Sequence, residues 1–550
     1  MFPAEKDQAG PARGKVKWDL WSLALILASA LFHLAYLWIL CPIEISTDEA
    51  HYWDWSRHLD WSYYSKGPLV AWLIRVNCEI FGPLSESLTG SLMAGLRTSA
   101  VLFGAGLLLA LHHLARISFA SPKTGFVLVA VALTLPPIHV VSLLLTIDSP
   151  YCCIWACALV TARKAIFTPS GKDLPWWILT GSLVGMGILA KYTMVLFAGS
   201  LFLGLLTQPE WREKLSRKEP WLGATTAILF CAPILLWNMA NGWVTFRHVG
   251  NLAGVAKETP GIHWLGPLRY LGGQAALLLF FWFGAWAFSL VSGINRTPKN
   301  PSRYFLWIMS WPVFAVFLAF SPKTGGGEIN WPITAYLSAL PLVALIVERW
   351  WDNNGRPEFR GLRTGTRITG TLGVCLTLFM LYSSSTYPVL SFLAGKSGAN
   401  NPTPLRKFDP TCRLKGWRSL AAKMDSLVLT EENTNPGRTI LCGNRWSTTG
   451  ILGFYCKNHP QAYCLGPVLG DRHSQYDFWE NPFDNPDDFK GKTFIVVDGV
   501  EKALAPAFGS IEPAIEHTHM ENGEPIARWT ILICRDFKGF PKEKVTSRGW

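Results

Sequence analysis

Leu20-Trp21-Ser22-Leu23-Ala24-Leu25-Ile26-Leu27-Ala28-Ser29-Ala30-Leu31-Phe32-His33-Leu34-Ala35-Tyr36-Leu37-Trp38-Ile39-Leu40-Cys41 contains no Asp, Glu, Lys or Arg, and its reading decides the fold. A bilayer-spanning helix needs about 20 mostly apolar residues, so this run predicts one. Lys15 and Lys17 precede it, but no small-residue cleavage site follows, so it reads as a retained first span and not as a signal peptide. The same ruler finds further runs at 95–115, 124–146, 149–167, 175–190, 192–207, 221–240, 267–292, 304–320, 331–348 and 368–390, giving about 11 transmembrane helices. Composition agrees. Of 550 residues, 50% are hydrophobic and only 16% charged, against about 25% charged in a soluble domain. Mean hydropathy is +0.22. Twelve cysteines in this length are too few for a disulfide scaffold.

A formal net charge of +12 raises the question of a nucleic-acid partner. Where the charges lie argues against one. Membrane proteins keep Lys and Arg in their cytoplasmic loops. With the N-terminus inside, segments 1–19, 116–123, 163–173, 208–220, 293–303 and 348–367 hold 21 Lys+Arg and 10 Asp+Glu. The outer segments 42–97, 148, 191, 238–269 and 321–330 hold 9 and 10, and the tail from 391 holds 20 and 18. The excess is therefore loop bias. It predicts a multi-pass protein of the cytoplasmic (inner) membrane, with the N-terminus cytoplasmic and the C-terminal tail outside.

From 396 the chain turns rich in Pro, Asp, Asn and Lys, and no further span follows. Apolar runs Thr439–Cys442, Thr493–Val497 and Trp529–Cys534 read as strands, and 415–428 and 447–456 as helices. The fold class is thus a polytopic α-helical membrane protein with a C-terminal extracytoplasmic α/β domain. The expected division is 1–395, with a first outer loop at 42–94 carrying interfacial helices, and 396–550. Five cysteines fall in the tail (Cys412, Cys442, Cys456, Cys464 and Cys534) and leave two readings open, one or two disulfides or free buried thiols. The repeated Ser-Pro-Lys-Thr-Gly at 121–125 and 321–325 falls on opposite sides of the membrane and reads as coincidence.

Chemistry concentrates on the outer side. The first outer loop runs Ser46-Thr47-Asp48-Glu49-Ala50-His51-Tyr52-Trp53-Asp54-Trp55-Ser56-Arg57-His58, and later Tyr63-Tyr64-Ser65-Lys66-Gly67-Pro68-Leu69. Two acids open a helix-like stretch, as suits the positive helix N-terminus. The interleaved aromatics suit the headgroup layer. Asp48 could serve only as a cap, but other outer polar residues accompany it. Asp148 stands in an otherwise apolar stretch, where a carboxylate is costly unless it meets a wet cavity or a partner. Lys191, followed by Tyr192, is the lone charge of its turn. Arg247-His248 and Glu328 stand evenly between loop solvation and a site role. Carboxylates can deprotonate a hydroxyl, and cations stabilise the charge that builds on a leaving phosphate. There is no Walker loop and no Gly-rich dinucleotide turn. A donor already anchored in lipid, such as a polyprenyl-phosphate sugar, fits that setting.

These motifs, Asp48-Glu49-Ala50-His51-Tyr52-Trp53, Tyr63–Leu69 and Asp148-Ser149-Pro150, resemble the bacterial protein-mannosyltransferase-like (ArnT-like) glycosyltransferases of the GT-C type, glycosyltransferase family 39 and its relatives. Lys191-Tyr192-Thr193, Trp237-Asn238, Phe246-Arg247-His248, Asn330-Trp331-Pro332, Arg413-Leu414-Lys415-Gly416-Trp417 and Ser474–Trp479 look like later landmarks of that family. The resemblance implies transfer of a hexosyl or pentosyl unit from a polyprenyl-phosphate-linked donor to a hydroxyl or phosphate of a lipid A-like lipid, a protein or a glycan. It makes Asp48 the catalytic acidic residue of the first loop, deprotonating the acceptor hydroxyl, and Asp148 the second acidic position that helps it. Glu49, His51, Tyr52, Lys66, Lys191, Tyr192, Arg247, His248 and Glu328 become the expected substrate contacts, with Lys66, Lys191 and Arg247 on the departing phosphate. No metal or other cofactor is called for, although a divalent ion is compatible with the scheme. Ser65-Lys66-Gly67-Pro68 stands where aminoarabinose transferases have Glu-Lys-Pro-Pro, and His51 replaces their Arg, so that substrate is not carried over. The competing class, a transporter or flippase of lipid-linked sugars, would show repeated halves with broken helices, which the sequence does not display. A non-catalytic scaffold would have no use for Asp148 at membrane depth.

Overall fold

Backbone polar groups in a bilayer core must be satisfied within the chain, so its apolar runs fold as helices. The computed structural model describes residues 12–252, 261–292, 300–395, 397–398, 401–434 and 436–541. The parts of the expected loops at 1–11, 253–260 and 293–299 lie outside the described residues. Six helices are long and apolar enough to cross a membrane: Val16–Leu40, Met93–Phe119, Asp148–Phe167, Pro301–Thr324, Ile333–Asp352 and Pro357–Leu381. Four further runs are bent pairs, so the described residues supply six spans, or up to ten if each pair is one, where the sequence predicts about 11. Leu174–Ala190 is apolar but shorter. The bends have local causes. Pro122–Ala132 and Pro136–Leu143 meet at 80°, and Tyr192–Thr207 and Pro209–Ser216 at 108°. Pro136 and Pro209 each begin the second helix of the pair, where a missing N–H breaks no helical bond. Gly266–Leu277 and Phe281–Val291 meet at 110° across Leu279 and Phe280, both at a φ of 54°.

The chain divides into two compact units. One is Met1–Leu37, Arg97–Leu236 and Gly250–Thr377; the other is Trp38–Leu96, Trp237–Val249 and Leu378–Trp550. In the first, Leu174–Ala190 packs closely on Lys218–Phe230, because a Cβ at Gly181 would overlap the Gly223 carbonyl. Small residues at such crossings let helices approach where lipid gives no hydrophobic drive.

The second unit is built on a six-stranded sheet: β1 (Thr439–Gly443), β2 (Ala462–Cys464), β3 (Thr493–Val497), β4 (Phe508–Ile511), β5 (Ile515–Glu521) and β6 (Glu524–Phe537). Its order is β2-β1-β3-β6-β4, with β5 also on β6; the pairs β1–β2 and β1–β3 are parallel and those with β6 antiparallel. Every residue of β3 is buried, as befits a strand covered on both faces. Phe494 and Val496 pack there with Phe508, Leu532, Cys534 and Phe537. Asn522-Gly523 closes the β5–β6 hairpin with both residues at positive φ, the two-residue turn that matches strand twist. All five tail cysteines are buried free thiols.

The first outer loop belongs to this unit and interlocks with the tail. Glu44 accepts from the backbone N–H groups of Trp417 and Arg418, at the start of the helix Trp417–Thr434. Burial holds the Glu44 carboxyl above its ordinary range, and those donors oppose the shift. Lys415, 1% exposed, donates to Ser383, Ser384 and the Tyr387 hydroxyl and pairs with Glu521 at 3.3 Å. The Arg413–Trp417 landmark is thus a structural tie.

Candidate active site

The helix Thr47–Arg57 carries the first expected group. Its N-terminus is closed by a capping box: Glu49 N–H donates to Ser46 Oγ at 3.2 Å, and Ser46 N–H donates to Glu49 Oε2 at 3.0 Å. Glu49 is therefore buried and committed to the cap, whereas Asp48 is exposed beside it. One helical turn on, His51 and Tyr52 are each 5% exposed. At three- and four-residue spacing they share a helix face with Asp48.

His51 is held from all sides. Trp55 Nε1 donates to its Nε2 at 3.2 Å, and its ring lies 5.0 Å from Trp446 and 5.1 Å from Tyr476. An indole N–H only donates, so the neutral ring carries its proton on Nδ1, and that atom is buried with no hydrogen-bond partner among the described residues. Burial, and next the charge of Arg472, lowers its pKa to about 3.

The loop is pinned by a motif some four hundred residues away. Tyr476 hydroxyl donates to Asp54 Oδ2 at 2.7 Å, and Arg57 pairs with Asp54 Oδ1 at 2.6 Å. Asp54 is fully buried. Gln475 Oε1 accepts from Tyr64 N–H at 2.7 Å, and the Trp479 ring lies 4.3 Å from His58. The Ser474–Trp479 landmark is the latch of the first loop. The helix Trp446–Tyr455 approaches closely because Gly450 lies at the crossing, where a Cβ would stand 3.0 Å from His51 N.

Tyr63–Leu69 sets the second group. Lys66 is half-buried in the turn after Tyr64. The Tyr64 ring lies 4.8 Å from His248 on the helix Val244–Leu252. On that helix His248 faces inward with Val244 and Thr245, while Arg247 is exposed. Burial first, then Arg472 and Lys66, lowers the His248 pKa to about 4. Trp237 Nε1 donates to Asp60 at 2.7 Å, and Asn238 Oδ1 accepts from Thr245 N–H at 3.2 Å, so that landmark positions this helix.

Arg472 is the residue that sequence reasoning missed. Its guanidinium lies 5.1 Å from the Trp446 ring centroid, makes no ion pair among the described residues, and acts on His51, Tyr64 and His248 together. The available signal was its place two residues before the Ser474–Trp479 motif.

The first unit holds the remaining residues. Lys191 ends the helix Leu174–Ala190 and donates to Asp148 Oδ1 at 2.7 Å, at the start of the helix Asp148–Phe167. Asn330 Nδ2 donates to the other oxygen, also at 2.7 Å. Lys191 lies 5.4 Å from the Tyr151 ring, whose hydroxyl meets Thr193 and Thr334. Asp148 and Lys191 side chains are only 13% and 8% exposed. Asn330, which the sequence offered only as part of a landmark, and Tyr151 thus complete the set around the two charges. Tyr192 is half-buried in the next turn, and Glu328 is exposed in the glycine turn before Asn330. Among the described residues, no three His, Cys, Asp or Glu side chains gather as a metal cage.

Comparison with known proteins bears on both units. Residues 65–237 match the family model described as dolichyl-phosphate-mannose-protein mannosyltransferase. That stretch takes in Lys66, Asp148, Lys191 and Tyr192, while Asp48 precedes it. The lipid A galacturonosyltransferase RgtD of Rhizobium johnstonii is 24% identical over 344 residues, covering 62% of this chain and 67% of RgtD. Crystal structures of ArnT from Cupriavidus metallidurans, apo and bound to undecaprenyl phosphate, share the fold with a TM-score of 0.59 each. Their identities are 15% and 14%; the apo structure covers 92% of this chain and 97% of its own, the bound one 95% and 98%. The chain thus has a fold of the ArnT kind, a match to the mannosyltransferase family model over residues 65–237, and a likeness to a lipid A galacturonosyltransferase.

Proposed function

We propose that the enzyme moves a sugar from a polyprenyl-phosphate donor to a lipid A-type glycolipid on the outer face of the inner membrane, with its N-terminus cytoplasmic and its tail domain outside. Asp48 takes the proton of the acceptor hydroxyl. The freed oxygen bonds to the anomeric carbon, the bond from that carbon to the donor phosphate breaks, and the phosphate leaves with the electron pair. Lys66, Lys191 and Arg247 balance its charge. Asp148, bonded to Lys191 and Asn330, orients the lysine. His51 contributes its Nδ1–H, unpartnered among the described residues, to substrate, with Tyr52 and His248 lining the approach.

The observation that carries this reading is the capping box. Ser46 and Glu49 form the capping box of this helix, and Asp48 stands beside them as an exposed carboxylate at its positive end. The likeness to a lipid A galacturonosyltransferase, and to an ArnT structure bound to undecaprenyl phosphate, favours a lipid acceptor, a lipid-linked donor and a hexuronosyl group as the first to test. Mass spectrometry of envelope lipids, glycans and proteins, with and without the gene, tests it. A sugar increment missing from lipid A alone is expected. An increment missing from protein or glycan would replace the acceptor, and an unchanged envelope would remove the activity.

A further inference from the structure

A chamber lies in the first unit, lined by none of the candidate-site residues. It has a volume of about 460 Å³ and opens between the helices Phe281–Val291 and Ile333–Asp352. Phe281, Phe288, Leu342 and Ile346 form apolar walls, and Arg303 and Arg349 line it with them. The lining is graded along the chain. Leu342 and Arg349 are seven residues apart on one helix, about 10 Å at ~1.5 Å per residue. Both helices run from apolar lining toward segments 293–303 and 348–367, which the charge bias assigns to the cytoplasmic side.

The neighbouring carboxylates do not neutralise this end. Glu348 accepts from Ser121 and Thr124, and Asp352 pairs with Lys123. Arg349 is half-buried and makes no ion pair or side-chain hydrogen bond among the described residues. A guanidinium beside an apolar chamber is costly without a counter-charge, and an anion supplied from outside the protein would provide one. An anionic phospholipid joins an apolar body to an anionic head. We propose that the chamber seats an anionic phospholipid of the cytoplasmic leaflet, its acyl chain between Phe281 and Leu342 and its phosphate on Arg349 and Arg303.

The full-length protein in detergent tests this by native mass spectrometry and by melting with added phosphatidylglycerol or phosphatidylcholine. Phosphatidylglycerol is expected to stay bound and to raise the melting temperature, and phosphatidylcholine to do neither. Charge-assisted bonds to phosphate are the strong class, and about 1.4 kcal/mol is tenfold in affinity. Arg303→Gln with Arg349→Gln should therefore weaken phosphatidylglycerol binding about tenfold or more. Gly284 lines the chamber, and a Cβ there would meet nothing within 4 Å. Gly284→Phe should accordingly fill the space without disturbing the helix, and exclude the lipid with both arginines intact. Equal binding of the two lipids, or wild-type phosphatidylglycerol affinity in either variant, overturns the proposal. So does displacement of phosphatidylglycerol by sub-stoichiometric undecaprenyl phosphate.

Discussion

Replacing Tyr476 with Phe removes one hydroxyl and nothing else, and that hydroxyl donates at 2.7 Å to the fully buried Asp54 carboxylate. A hydrogen bond to a charged group contributes about 1.5–3 kcal/mol. Arg57 keeps its own bonds to Asp54, so the carboxylate stays paired and the cost should fall in the lower half, about 1.5–2 kcal/mol. For a cooperative unit of ~150–250 residues, 1 kcal/mol is about 2–4 °C, so melting of the second unit should drop by about 3–8 °C. Hydrogen exchange of the purified protein adds the location: the helix Thr47–Arg57 should lose protection before the sheet does. Tyr463→Phe is the control, because that tyrosine packs on Phe489 in the same domain and shares no hydrogen bond or ring contact with the first loop among the described residues; a shift within about 0.5 kcal/mol is expected. If Tyr476→Phe melts and exchanges like wild type, Asp54 and Tyr476 do not hold the first loop to the tail.

Other perturbations reach the same architecture from different sides. Gly450→Ala would put a Cβ 3.0 Å from His51 N and 3.1 Å from Ala50 C; backbone cannot yield cheaply, so a loss of about 1–3 kcal/mol and faster protease cleavage in 46–58 are expected. Lys191→Met leaves Asp148 with Asn330 alone and should destabilise the protein by about 3–5 kcal/mol. Asp148→Asn with Lys191→Met should regain most of that in melting experiments yet show a raised KM for the lipid donor; a fully active double variant would make the pair purely structural. His51 and His248 have folded pKa values lowered to about 3 and about 4, below the unfolded value of about 6.5. Their stabilising contribution is complete above pH ~6.5 and is lost as pH falls toward the folded values, by up to about 1.4 kcal/mol per pH unit for each. Melting temperature should thus drop steeply from pH 6.5 to 5, and less steeply in His51→Gln.

Much of this was legible in the primary structure because apolar length is a local property. Leu20–Cys41 and the other uninterrupted runs announce helices without help from any partner. The bends are less visible. Pro136 and Pro209 mark two, but the turn at Leu279-Phe280 lies within an unbroken apolar run and carries no local signal. In the tail, β3 and the second half of β6 stand out as apolar stretches. β5 alternates half-buried and exposed residues among His, Glu and Thr, so its clearest mark was the Asn522-Gly523 turn. The first-loop helix was readable from its acids, yet which acid caps it was not: Ser46 and Glu49 take that role through a reciprocal geometry at three-residue spacing. Arg472 and the bond from Tyr476 to Asp54 join positions hundreds of residues apart, and only the folded chain brings them together.

Transfer of labelled sugar from polyprenyl-phosphate donor to lipid A-type acceptor by the purified Asp48→Asn protein decides whether that carboxylate is the base. The exchange keeps the size of the side chain and leaves the Ser46–Glu49 cap in place, so the variant should fold and melt as the wild type does. A general base contributes about 10²- to 10⁴-fold, and a fall of that size in kcat with donor KM unchanged is the expected result. Undiminished transfer by a folded Asp48→Asn protein would remove Asp48 from that role.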